Sequence, residues 1–73
     1  MKRHWVKFIY ERNTYVVNLD RIHAFVLTEN GRLIFWIPNA KGKVQIILHP
    51  KTNPATYQQI LEYIQEKIGQ SLT

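Results

Sequence analysis

The chain has 73 residues, of which 45% are hydrophobic, no cysteine, and a formal net charge of +5. This length allows one domain, residues 1–73, with a marginal core, because a domain of this size buries only about 60% of the surface of its unfolded chain. The lack of cysteine excludes disulfides, thiolate catalysis and zinc sites built on thiolates.

The first residues carry positive charge, as signal peptides do. No continuous apolar stretch follows them, because Lys7, Glu11 and Arg12 interrupt it. No segment approaches the roughly 18 apolar residues of a membrane span. We therefore expect a soluble, cytoplasmic protein without a membrane span.

Two strands are predicted at the N-terminus, at about residues 5–11 and 14–19. Both segments are rich in aromatic and β-branched residues, and apolar side chains alternate along the first. Arg12-Asn13 between them suits a tight turn, because Asn tolerates positive φ. These strands should form a hairpin.

A second hairpin is predicted from strands at about 22–28 and 32–37. Asn30-Gly31 lies between them and is typical of a two-residue type I′ turn. This turn would place Phe25 opposite Trp36 and Val26 opposite Phe35. One face would then hold Ile22, Ala24, Val26, Leu33, Phe35 and Ile37, and the other would hold His23, Phe25, Leu27, Ile34 and Trp36.

A fifth strand is expected at about 44–49, between Pro38, which should end the fourth strand, and Pro50. A helix is expected at about 54–68, with Asn53 as N-cap, Pro54 at the first position and Gly69 as the terminator. The predicted fold class is α+β: a curved antiparallel sheet of four to five strands in meander order, followed by one C-terminal helix (βββββα).

Both faces of the predicted sheet are apolar, although one helix can cover only one of them. The second face could be covered by curling of the sheet into a barrel-like monomer, by a second copy of the chain, or by a binding partner. We favour a homodimer. The candidate interface is the face without the helix, composed of His23, Phe25, Leu27, Ile34 and Trp36.

Positive charge is concentrated near the N-terminus and around residues 41–51, and aromatic residues are interspersed among these basic residues. Single-stranded nucleic acids are bound by such combinations, with bases on aromatic rings and phosphates on cations. The candidate anion or nucleic-acid contacts are Lys2, Arg3, Lys7, Arg12, Lys41, Lys43 and Lys51.

No catalytic, metal or cofactor motif is present in the sequence. The three histidines lack the spacing of a metal pair, Glu62 and Glu66 are expected on a solvated helix face, and the three glycines form no phosphate-binding loop. We therefore expect neither an enzyme nor a bound cofactor.

The order of strands followed by one helix resembles that of two groups, the dimeric single-stranded-DNA-binding transcriptional coactivators and the pleckstrin-homology-like domains. The resemblance concerns element order alone, and such an analogy does not carry function. We predict a small binding module that associates with itself or another protein through the Phe25/Trp36 face. The alternative is a basic protein that binds single-stranded DNA or RNA through its N-terminal strand and the Lys41–Lys43 loop.

Overall fold

The computed structural model describes residues 4–69 and shows an α+β fold. The chain forms two strands, a short 3₁₀ helix, three further strands and a C-terminal helix. Their bounds are β1 Trp5–Tyr10, β2 Asn13–Asn18, the 3₁₀ helix Leu19–Arg21, β3 Phe25–Leu27, β4 Leu33–Asn39, β5 Gly42–Leu48 and α1 Pro54–Ile68.

The strands pair antiparallel in chain order, but they form two sheets, β1-β2 and β3-β4-β5. One continuous curved sheet is therefore not confirmed. The sheets separate at the 3₁₀ helix, where Leu19 turns into the core and is 1% exposed. The Leu19 N–H donates to the His4 carbonyl at 2.8 Å, and this bond holds the start of the 3₁₀ helix beside the start of β1.

The turn of the first hairpin consists of Glu11 and Arg12, since Tyr10 pairs with Asn13. The predicted Arg12-Asn13 turn is therefore wrong by one residue. Both turn residues have positive φ, 49° for Glu11 and 72° for Arg12, as a type I′ turn requires. This conformation is strained for residues with a Cβ.

The second hairpin has a longer turn than the sequence predicted. Thr28 N–H donates to the Arg32 carbonyl at 2.8 Å and Gly31 N–H to the Thr28 carbonyl at 2.9 Å, so three residues form the loop. Only Gly31 has positive φ there, 83°, which is typical of a type I turn followed by a bulge. The predicted two-residue type I′ turn is thus wrong, and Phe25 pairs with Phe35 instead of Trp36.

β4 continues through Pro38 to Asn39, past the predicted end at residue 37, and β5 correspondingly begins at Gly42. Asn39 pairs with Gly42 around a two-residue turn. From this pair, hydrogen-bonded and non-hydrogen-bonded pairs alternate along the antiparallel ladder, so the Pro38 nitrogen points away from β5. β3 does not extend that far, so the proline removes no ladder hydrogen bond there.

The same alternation directs the Ile47 N–H toward the outer edge of β5. The Tyr10 hydroxyl accepts it at 3.3 Å. A tyrosine of the first hairpin therefore covers part of the edge of the second sheet.

α1 has the predicted bounds. Pro54 occupies its first turn, and Gly69 terminates it with φ 73° and an N–H donated to the Gln65 carbonyl at 2.9 Å. Asn53 precedes the helix as predicted, but its side chain makes no capping bond to the helix; its Oδ1 accepts from the Thr52 hydroxyl.

The core lies between the inner faces of the two sheets and α1. Phe8 of β1 contacts Phe35 of β4 with ring centroids 6.3 Å apart. The buried residues are Val6, Phe8, Val17, Leu19, Leu33, Phe35, Ile46, Leu48, Ile60 and Leu61. Within residues 4–69, no helix has the length and hydropathy needed to cross a membrane.

Candidate functional site

The outward side of the three-stranded sheet carries a row of aliphatic residues. Val26, Ile34 and Ile47 lie directly opposite one another across β3, β4 and β5. Trp36 follows on the same side of β4, opposite Gln45. We call Val26, Ile34, Trp36 and Ile47 the outer sheet face.

This face is partly open to solvent. Val26 is 42% exposed and Ile47 37% exposed, while Ile34 and Trp36 are half-buried. Side chains directly opposite on neighbouring strands lie within contact distance, so the aliphatic row is continuous. Exposed apolar residues that adjoin in this way indicate an interaction surface more strongly than isolated ones do.

The observed register changes the membership of the predicted interface. Phe25 and Leu27 lie opposite Phe35 and Leu33, on the core side of the sheet, so their predicted placement on the opposite side is wrong. Phe25 packs against the core and is half-buried. The reason is the extra loop residue, because a shift of one residue moves every side chain of a strand to the other face.

Of the five predicted interface residues, Ile34 and Trp36 remain on the outward side. His23 is exposed in the segment before β3 and lines a small cleft with Trp36 and Lys43. Val26 and Ile47 also lie on this side, although they are not among the predicted interface residues. The sequence does not single out Ile47, because Ile46, Ile47 and Leu48 form a continuous apolar run without alternation.

A polar cluster centred on Asp20 joins the start of β1, the 3₁₀ helix and α1. Tyr63 donates its hydroxyl to Asp20 Oδ1 at 2.7 Å, and His4 Nδ1 lies 2.7 Å from Oδ2. Because an ionised carboxylate only accepts, His4 donates this bond. Lys67 Nζ lies 3.7 Å from Oδ1.

These contacts lower the pKa of Asp20 below its ordinary value of 3.8. The hydrogen bond from Tyr63 has the largest effect, followed by the bond from His4, and partial desolvation opposes both. In turn, burial and then the bond to Asp20 raise the pKa of Tyr63 to about 12. No sequence motif indicated this cluster, because its members are far apart in the chain.

The cluster holds elements together. Both carboxylate oxygens of Asp20 are already bonded, and its side chain is 45% exposed. The adjoining cleft, of about 240 Å³, is lined by His4, Gln59, Glu62, Tyr63 and Glu66. Among residues 4–69, no three acidic or histidine side chains converge as a metal site.

The predicted basic residues that the structure describes lie in different places rather than in one cleft. Lys7 is exposed on β1 and lines a cleft of about 490 Å³ with the start of α1, whereas Lys43 lines the cleft beside Trp36. Arg12 lies in the first turn, Lys41 in the β4-β5 turn and Lys51 before α1. Lys2 and Arg3 lie outside the described residues.

The outward side of the first hairpin brings an aromatic residue close to Arg21, which is not among the predicted anion contacts. Trp5, 47% exposed, and Arg21 both line a groove of about 260 Å³. Its other walls come from β2, Ile22 and the end of β4. Trp5 and Arg21 are far apart in the chain, so no signal in the sequence paired them.

No family model, no curated protein and no solved structure matches this chain.

Proposed function

We propose that this protein is a non-enzymatic self-association module in which a second copy packs against the outer sheet face. The observation that carries the proposal is the continuous row of Val26, Ile34 and Ile47, extended by Trp36, on an outward face of the sheet. Burial of apolar surface contributes about 25 cal/mol per Å², so covering this row favours association.

A second copy suits this face because an apolar row can pack against the same row of another chain. Two copies related by a two-fold axis present the same patch to each other. An apolar row needs no opposite charge on its partner. Lys43 is the charged residue on this side of β5, and it lies at the border of the row, near the β4-β5 turn. Small domains without disulfides also commonly gain stability by oligomerisation.

The non-enzymatic part of the proposal is supported by the state of the polar cluster. Its carboxylate is ionised and engaged by Tyr63 and His4, and the pKa of Tyr63 is raised away from neutrality. A general acid or base works best with a pKa near the operating pH. These groups therefore suit a structural role better than proton transfer.

The test is solution mass measured by light scattering across a concentration series. We expect a mass approaching twice 8.7 kDa for the unsubstituted chain and a monomer for Ile47→Lys, because a buried unpaired ammonium is costly. Ile9→Lys is the matched control, since Ile9 is 68% exposed on the other sheet. It should leave the dimer intact.

A monomer at every concentration up to about 1 mM would overturn self-association at any useful affinity. Equal loss of the dimer in Ile47→Lys and Ile9→Lys would place the interface elsewhere. If the chain is a monomer and binds a different protein only when Ile47 is unsubstituted, that protein, and not a second copy, occupies the outer sheet face.

A further inference from the structure

The groove beside Trp5 combines an exposed aromatic ring with an arginine. Trp5 lies at the start of β1, opposite Asn18 of β2, and Arg21 ends the 3₁₀ helix that follows β2. The groove also contains Val16, Ile22 and Pro38, so its walls are largely apolar. An apolar groove with an exposed indole suits a flat π-system, which stacks on aromatic side chains.

The electrostatics of the groove favour an anionic ligand. None of the side chains that line it is acidic. Both ion pairs that the structure shows within residues 4–69 use Asp20, which leaves Arg21 without a carboxylate there. Asp20 adjoins Arg21 in the chain, but both its oxygens bind His4, Tyr63 and Lys67.

A second cation continues the same surface. Lys7 follows Trp5 on the outward side of β1 and lies opposite Val16, which itself lines the groove. Alternate residues of a strand lie roughly 7 Å apart, so an extended chain along β1 meets an aromatic ring and then an ammonium. Thr14 and Ile9 complete this side without adding negative charge.

We propose that this groove binds single-stranded nucleic acid, with a base stacked on Trp5 and the flanking phosphates held by Arg21 and Lys7. Stacking on aromatic side chains, combined with cations that follow the backbone, is the general mode of single-strand binding. A duplex fits less well, because its bases are already stacked on one another. None of Trp5, Lys7 and Arg21 belongs to the outer sheet face, so each of the two proposals is tested by its own substitutions.

The test is fluorescence anisotropy of a labelled oligothymidylate of about ten nucleotides at low ionic strength, repeated with oligouridylate. Trp5→Leu should weaken binding by roughly 5- to 100-fold, while Trp5→Phe, which keeps a ring, should retain most of it. Arg21→Gln should weaken binding and reduce the slope of log affinity against log salt by about 1.

Arg32→Gln is the matched control, because Arg32 is exposed in the β3-β4 turn and its loss changes the net charge equally. It should have the smaller effect. The proposal is overturned if the unsubstituted chain shows no binding at low salt. Equal weakening by Arg21→Gln and Arg32→Gln, with none by Trp5→Leu, would also overturn it by showing diffuse attraction. Binding to phosphatidylserine vesicles without binding to oligonucleotide would assign the groove to a membrane surface.

Discussion

The Tyr63 hydroxyl donates a 2.7 Å hydrogen bond to the carboxylate of Asp20, a residue 43 positions earlier in the chain. This bond joins α1 to the 3₁₀ helix at the point where the two sheets separate. His4 binds the other carboxylate oxygen and packs edge-on against the Tyr63 ring, with centroids 5.0 Å apart. Three distant segments are thus held at one carboxylate.

The ionisation of Tyr63 should depend on the carboxylate of Asp20. Its pKa is raised to about 12 by burial and by the Asp20 carboxylate. In Asp20→Asn the pKa should fall toward 10 but remain above it, because burial persists. Ultraviolet absorbance of the phenolate, followed against pH with circular dichroism as a control for unfolding, measures the shift. An unchanged titration would contradict the bond.

Stability should depend on the ionisation of Asp20 in acid. Its pKa is lower in the folded protein than the ordinary 3.8, so its contribution is present above about pH 4 and is lost as pH falls through the folded value. The melting temperatures of the unsubstituted chain and Asp20→Asn should therefore differ at neutral pH and converge in strong acid. A difference that persists below both pKa values would assign the effect to packing.

The first turn offers a stabilising substitution. Glu11 and Arg12 adopt positive φ, which costs about 1–2 kcal/mol for each residue with a Cβ. Glu11→Asn combined with Arg12→Gly should raise the free energy of unfolding by about 1 kcal/mol or more, as measured by urea denaturation. Glu11→Gln with Arg12→Gln removes the same charges and keeps the strain, so it should give no such gain.

The hydroxyls of Tyr57 and Tyr10 should contribute differently to the free energy of unfolding. Tyr57 donates to the Gly31 carbonyl at 2.7 Å and is half-buried, so Tyr57→Phe should cost about 1 kcal/mol and speed hydrogen exchange in the β3-β4 turn. Tyr10→Phe should cost less, because the Ile47 N–H reaches its hydroxyl only at 3.3 Å. The reverse order would contradict the assigned geometry.

The register of β3 can be tested by a pair of alanine substitutions. Phe25 packs against Phe35 and Tyr63, with ring centroids 5.5 and 6.2 Å away, so Phe25→Ala should destabilise by about 2–3 kcal/mol. Val26 is 42% exposed, and Val26→Ala should cost below about 1 kcal/mol in the monomer. The melting temperatures of the two variants, measured in dilute samples where the chain is a monomer, compare these losses of stability. A larger loss for Val26→Ala would favour the register of a two-residue turn.

The sequence by itself determined the order of five strands and one helix. Alternating apolar residues marked β1, and Pro54 and Gly69 marked the ends of α1, because these signals act through the local backbone. Only the tertiary structure decided the division into two sheets, the outward placement of Val26 and Ile47, and the meeting of Tyr63 with Asp20. A turn one residue longer reverses the faces of a strand, and contacts between distant positions depend on how whole elements pack, which no local pattern specifies.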